Sequence, residues 1–243
     1  MNSITNIDNF YFIGIGGIGM SALARYFNLE GKKVFGYDKT PSEITSTLIE
    51  EGIAIQFKDE VSLIPELIQK NKKTLVVCTP AISKNNNILS WLNAKEYWVV
   101  KRSELLGEIS KNSICLAVAG THGKTTTSAI LGHLLASCNM PVTAFLGGVT
   151  ENYNSNLIYK GSEIMVVEAD EFDRSFLHLS PTIACITSMD ADHLDIYGSI
   201  SELENTFVDF SKLVPDSNNL LFKTGLPLEG KTVSATENAD FEA

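Results

Sequence analysis

Positive charge is in short supply in this chain of 243 residues: 19 lysines and arginines face 29 aspartates and glutamates, a formal net charge of −10. That balance argues against bulk attraction to nucleic acid or to an anionic membrane. Phosphate binding then requires a local arrangement that overcomes the long-range field, which directs attention to glycine loops and helix starts. Cysteine is scarce as well. Cys78, Cys115, Cys138 and Cys185 are widely spaced and form no CxxC pair, so neither a disulfide framework nor a zinc site is indicated, and a reducing cytoplasm fits. Cys78, Cys115 and Cys185 lie in apolar runs, where cysteine acts as a small buried hydrophobe. Long apolar runs are missing too: nothing approaches the roughly 20 residues of a membrane-spanning helix. The opening MNSITNIDNFYFIGIGG sets no basic region ahead of an apolar segment, so it does not read as a secretory signal.

What is present is 44% hydrophobic and 20% charged residues, the composition of a soluble globular protein with a core of normal size. Strand-like apolar runs at 10–15, 33–37, 74–78, 97–100, 114–119, 163–167 and 182–186 alternate with amphipathic segments near 18–30, 43–51, 61–70, 102–109 and 125–137. Alternation of this kind predicts an α/β fold with parallel sheet wrapped by helices. The polar stretch 110–113 precedes a second strand–loop–helix start, and places a domain boundary there, giving 1–111 and 112–243.

Gly14, Gly16 and Gly19 form GxGxxG between an apolar strand and a helix. Glycine there permits a tight turn and lets the backbone approach a pyrophosphate at the positive end of the helix. Asp38 follows the second strand, nineteen positions after Gly19, where an acid can meet a ribose hydroxyl. The motif alone suggests NAD without establishing it, and a glycine-rich turn with no ligand has the same spacing. The second loop, AVAGTHGKTTTSAI, contains Gly120, Thr121, His122, Gly123, Lys124, Thr125 and Thr126. Gly123-Lys124-Thr125 is the end of a P-loop: backbone N–H groups cradle phosphates, the lysine neutralises the β- and γ-phosphates, and the threonine hydroxyl ligates Mg2+. The pattern departs from the usual one at Val118, where a glycine is expected.

A P-loop needs a metal-holding acid on a neighbouring strand. The run 164–167 ends in Glu168-Ala169-Asp170-Glu171, which puts Glu168 at the carboxyl end of a strand, where ligands collect in α/β sheets. His193 lies among Asp190, Asp192 and Asp195 after the next strand, where a neutral imidazole could ligate a second divalent ion. His133 and His178 read as structural, and His122 as facing ligand or solvent.

GIGGIGMSALARY, AGTHGKTTT, VEADEFDRSF and DADHLDIYG, in this order and spacing, resemble the Mur ligases across essentially the whole chain. The resemblance implies a Rossmann-like domain whose first loop binds the UDP part of a sugar nucleotide rather than NAD, followed by a P-loop α/β domain that binds ATP. It implies an ATP-dependent ligase of peptidoglycan precursor synthesis, joining L-alanine to the lactyl carboxylate of UDP-N-acetylmuramate through an acyl phosphate. Gly16, Gly17, Gly19, Met20 and Ser21 then fall on the pyrophosphate loop, with Thr79 and Pro80 in a loop on the uridine side. Residues 120–126 fall on the ATP phosphate loop, Thr125 and Glu168 on Mg2+ positions, and His193 on a ligand of a second Mg2+. Ser188 stands where many relatives have asparagine. Two other readings remain beside this one: a ligase that adds a preformed tripeptide to the same sugar nucleotide, and a non-catalytic UDP-sugar-binding module. Family members continue through the rest of the central domain and a third domain for the amino acid. The expectation is therefore that this stretch alone binds the sugar nucleotide but ligates little or nothing.

Overall fold

The computed structural model describes the chain except residues 1–3, 72, 84, 191–196, 198, 237 and 243. It divides into two compact units, Met1–Leu105 and Leu106–Ala243.

The first unit runs β1 (Asn9–Ile13), α1 (Ile18–Leu29), β2 (Lys33–Tyr37), α2 (Glu43–Glu50), β3 (Ala54–Gln56), α3 (Glu66–Lys70), β4 (Thr74–Cys78), α4 (Asn87–Ala94) and β5 (Trp98–Lys101), with α5 (Arg102–Ser110) crossing the division between the units. Its five strands form a sheet of order β3-β2-β1-β4-β5, parallel at every pairing. All five β1 residues are buried, as a central parallel strand covered on both faces requires. Phe10 and Phe12 point to one face, where Phe10 stacks on Phe27 of α1 at 3.9 Å between ring centroids. Tyr11 and Ile13 point to the other, packing with Val76, Ile68, Ile88 and Leu92. Helix α2 begins with a capping box: the Thr45 amide donates to the Ser42 hydroxyl, and the Ser42 amide donates to the Thr45 hydroxyl.

In the second unit β6 (Ile114–Ala119), α6 (Lys124–Ser137), β7 (Val142–Thr150), β8 (Ser155–Tyr159), β9 (Ile164–Glu168), β10 (Ile183–Ile186), α7 (Ile200–Ser211), β11 (Leu220–Lys223), β12 (Lys231–Ser234) and β13 (Phe241–Glu242) follow in turn. The sheet order is β13-β12-β11-β10-β6-β9-β7-β8. Helix α6 covers one region of it through a cluster of Ala136, Val142, Ala144, Leu146, Ile158 and Val166. Phe176, in a 3-10 stretch, stacks on Phe210 of α7 at 4.6 Å. Cys138 caps the far end of α6 and is exposed, whereas Cys115 is buried and Cys78 and Cys185 are partly so.

The structure corrects the expected elements in four places. The strand expected over 10–15 stops at Ile13, because Gly14 turns out of it at φ +85°. The amphipathic segment 61–70 is a 3-10 turn and the short α3, separated at Pro65, since a residue preceding proline is driven out of the helical region. The sheet is not parallel throughout: β8 runs antiparallel to β7. Helices α4 and α7 and strands β3, β7, β8, β11, β12 and β13 fall in segments where no element is expected. No helix among the described residues is long and apolar enough to cross a membrane.

Candidate functional site

In the first sheet β1 lies between β2 and β4, so successive crossovers leave in opposite directions and open a crevice at the carboxyl ends of the strands. A cavity of about 680 Å³ sits there, lined by Gly14, Gly17, Asp38 and Thr79 of the expected residues, and also by Phe57, Asp59, Ile82 and Asn85. Asp38 is already engaged: Oδ2 accepts from the Gly16 amide at 2.8 Å and Oδ1 from the Thr40 amide at 3.1 Å. The acid expected at a ribose thus also fixes the glycine loop. Asp59, which no motif announced, accepts from the amides of Asn87 and Ile88 and so anchors the start of α4. Burial, with the charges of Asp59 and Asp38, pushes the Tyr37 phenol up. Met20 and Ser21 are buried, and the Ser21 hydroxyl donates to the Ile18 carbonyl, which leaves their part in the loop to the backbone. Pro80 is exposed and does not line the cavity. The space a Cβ on Gly19 would take is filled by the Arg102 guanidinium.

The second unit repeats this geometry around β6, which lies between β10 and β9. Residues 120–123 join β6 to α6, and Gly123 at φ +79° makes the turn into the helix. The first intrahelical bond runs from the Thr127 amide to the Gly123 carbonyl, so the N–H groups of Lys124, Thr125 and Thr126 have no partner within the helix. The positive end of a helix of 14 residues opens on the loop. The loop is pinned from the residues after β10. Ser188 Oγ lies 2.9 Å from Thr121 Oγ1 and accepts from the His122 amide at 2.9 Å. The Asp190 amide donates to Thr121 Oγ1 at 3.0 Å, and Thr187 donates to the His122 carbonyl. The His122 ring is exposed, 3.8 Å from Asp190.

Glu168 ends β9 beside the start of α6. Its Oε1 accepts from the Thr125 hydroxyl at 2.9 Å, and its Oε2 from the Gly147 amide at 2.8 Å. A Cβ at Gly147 would lie 2.6 Å from Oε2, so only glycine lets β7 come this close to the carboxylate. Thr125 and Glu168 thus offer a hydroxyl and a carboxylate side by side, oxygen donors of the kind a hard divalent cation takes, with the rest of its shell left to phosphates and water. His193 lies outside the described residues. Among the described residues no group of three or more His, Cys, Asp and Glu side chains is placed to hold a metal ion.

Lys124 does not reach into open space. Its Nζ donates to the Gly120 carbonyl at 2.6 Å and to Glu171 Oε1 at 2.9 Å. The Glu171 side chain has no solvent exposure, and that of Lys124 only 14%. Two donors hold the Glu171 backbone carbonyl, the Tyr197 hydroxyl and the Arg174 amide. Burial above all, and then the Glu171 charge, pushes the Tyr197 phenol up to about 12. Glu171 and Gly147 are the residues that motif reasoning passed over. Glu171 is inside the quoted acidic segment, but strand position singled out Glu168, and Gly147 belongs to a strand that was not expected. His133 sits on α6 against the Tyr153 hydroxyl at 3.0 Å, and His178 ends the 3-10 stretch.

A family model described as "Mur ligase family, catalytic domain" matches residues 9–113, and one described as "Mur ligase middle domain" matches residues 118–239. The chain is 58% identical over 242 residues to a UDP-N-acetylmuramate–L-alanine ligase of Flavobacterium psychrophilum, covering 99% of this chain and 54% of that protein. It is 55% identical to the enzyme of the same name from Christiangramia forsetii, again covering 54% of it. The chain therefore spans about half the length of these curated relatives. Among solved structures, a UDP-N-acetylmuramate–alanine ligase of Thermotoga maritima is similar at a TM-score of 0.82 and 28% identity, over 94% of this chain and 53% of that one. A UDP-N-acetylmuramate:L-alanyl-γ-D-glutamyl-meso-diaminopimelate ligase from Neisseria shares the fold at a TM-score of 0.80 and 22% identity, over 93% of this chain and 78% of that one.

Proposed function

The chain belongs to the Mur ligase family, and from that premise we propose that it forms the nucleotide-handling part of an ATP-dependent ligase joining L-alanine to the lactyl carboxylate of UDP-N-acetylmuramate. On this reading residues 1–111 bind the sugar nucleotide and residues 112–243 bind ATP with Mg2+. The observation that carries it is the constellation at the start of α6, with Lys124 in the loop and Thr125 bonded to Glu168 at 2.9 Å. The alanine-ligase names of relatives 55–58% identical to the chain support the substrates.

Each part of the site has a task in that chemistry. ATP supplies the phosphoryl group that turns a carboxylate, whose oxygen is a poor leaving group, into an acylating agent. The N–H groups of Lys124, Thr125 and Thr126, at the positive end of α6, would donate to phosphate oxygens. The Lys124 ammonium adds a positive charge where phosphate charge gathers, the arrangement that stabilises phosphoryl transfer. Thr125 and Glu168 would hold Mg2+, with the Gly147 amide fixing the carboxylate's orientation. In the first unit the cavity beside Gly14, Gly17, Asp38 and Thr79 would take the UDP portion.

The test is phosphate release by the full-length enzyme containing this chain, supplied with UDP-N-acetylmuramate, Mg-ATP and a panel of amino acids. L-alanine should give the fastest release. Lys124→Ala should lower turnover by a factor on the order of a thousand, the scale attached to a residue that stabilises phosphoryl-transfer charge, and leave sugar-nucleotide binding intact. Unchanged turnover in Lys124→Ala would remove the central claim. Release with the tripeptide and not with L-alanine would reassign the third substrate.

A further inference from the structure

Resting on the reading of residues 120–126 as the seat of ATP phosphates, we infer that Glu171 is a built-in counter-anion for Lys124, paired with the ammonium that a nucleotide's terminal phosphate would also engage. It is a positioning residue that acts through the lysine.

Three features of the geometry carry this. The Glu171 carboxylate is wholly buried and faces the ammonium at 2.9 Å, in a segment where Glu168 and Asp170 already supply negative charge. The fold holds it there: the Glu171 carbonyl is bonded by the Tyr197 hydroxyl and the Arg174 amide. The Gly120 carbonyl takes a second donor of Lys124 at 2.6 Å, so of the three ammonium donors two are fixed by the protein, and one of those two meets a competing anion. A buried charge left without its partner is strongly disfavoured. A ligand must therefore bring enough negative charge to Lys124 to offset the loss. Terminal phosphates do so. A nucleotide whose phosphate does not reach the lysine leaves the pair alone. Glu171 thus holds the loop's lysine in place before nucleotide arrives, at the expense of affinity once it does.

The sign of that trade separates this role from a structural one. Titration calorimetry on the full-length enzyme containing this chain, as wild type, Glu171→Gln and Glu171→Asp, would use a non-hydrolysable ATP analogue with Mg2+, and AMP as the short ligand. Removing the carboxylate's charge should tighten analogue binding by roughly tenfold, the equivalent of one hydrogen-bonded charge partner, and leave AMP unchanged. Glu171→Asp keeps the charge and should stay near the wild type. A residue serving only to hold the fold would weaken every ligand instead. Analogue binding by Glu171→Gln that is unchanged or weaker, in a variant melting like the wild type, overturns the inference. Should that variant not fold, the unsubstituted chain still decides. The NMR signal of the Lys124 side-chain nitrogen should shift when the analogue saturates the loop, and a signal that stays where it was overturns the inference equally. No analogue binding by the full-length wild-type enzyme would remove the ATP reading itself, and the counter-anion role with it.

Discussion

Glu168 serves two neighbours at once, the Thr125 hydroxyl and the Gly147 amide, and its position is therefore sensitive to changes that add no charge. Gly147→Ala would set a methyl group 2.6 Å from Oε2 and push the carboxylate off its place. Residues that orient a metal ligand cost about 10- to 100-fold in metal affinity when altered. The expected result is a loss of that order in the Mg2+ dependence of nucleotide binding, measured by titrating Mg2+ at fixed ATP. Tyr197 gives a second test through pH. Its phenol is pushed from 10 to about 12 in the folded chain, so the folded state holds the proton longer than the unfolded one. The stability this brings is complete below pH 10 and is lost as pH rises toward about 12, because the unfolded chain then gains by ionising first. Urea unfolding across that range should show Tyr197→Phe with a shallower decline than the wild type. Parallel declines would count against it.

At the scale of elements, α6 presses on the sheet through Gly132, where an added Cβ would lie 2.7 Å from the Ala144 Cβ. Gly132→Ala gains about 1 kcal/mol of helix propensity but overfills this contact, at a cost of about 1–3 kcal/mol. A net loss of stability follows, and the double change with Ala144→Gly should recover it in thermal melts. The same scale shows what could be read from the chain beforehand. Strands β1 and β6 were legible because a strand buried on both faces is written as an unbroken apolar run. The turn from β6 into α6 at Gly123 and Lys124 was legible because a glycine-rich run stands between an apolar strand and a helical pattern. The partners of these residues were not. Glu171 reaches Lys124 only through a turn held by Tyr197, and Gly147 only through β7, which carries the Gly147-Gly148 pair in its interior and so lacks the pattern of a strand. The Ser188 hydroxyl bonds both Thr121 and the His122 amide, a pairing that depends on how β10 lies beside β6.

For the molecule as a whole, two units each set a glycine loop after a central strand of a sheet, and each ligand should leave its mark on its own unit. Hydrogen exchange read peptide by peptide should slow around 14–17 and 79–82 with UDP-N-acetylmuramate, and around 120–126 with Mg-ATP. A ligand present at 100 times its Kd adds about 2.7 kcal/mol to the state that binds it, enough for a clear change in rate. Protection of the first loop by Mg-ATP alone would contradict the assignment. The cysteines make a finer measurement possible. Burial pushes the thiols of Cys78, Cys115 and Cys185 up, while Cys138 is exposed, so a maleimide dye at neutral pH should settle on that one thiol. Cys138 closes the same helix of 14 residues that Lys124 opens, which places the dye about 20 Å from the loop before that helix at 1.5 Å per residue. A fluorescent nucleotide in the loop would then transfer energy along a rigid rod of known length, an optical ruler already written into α6.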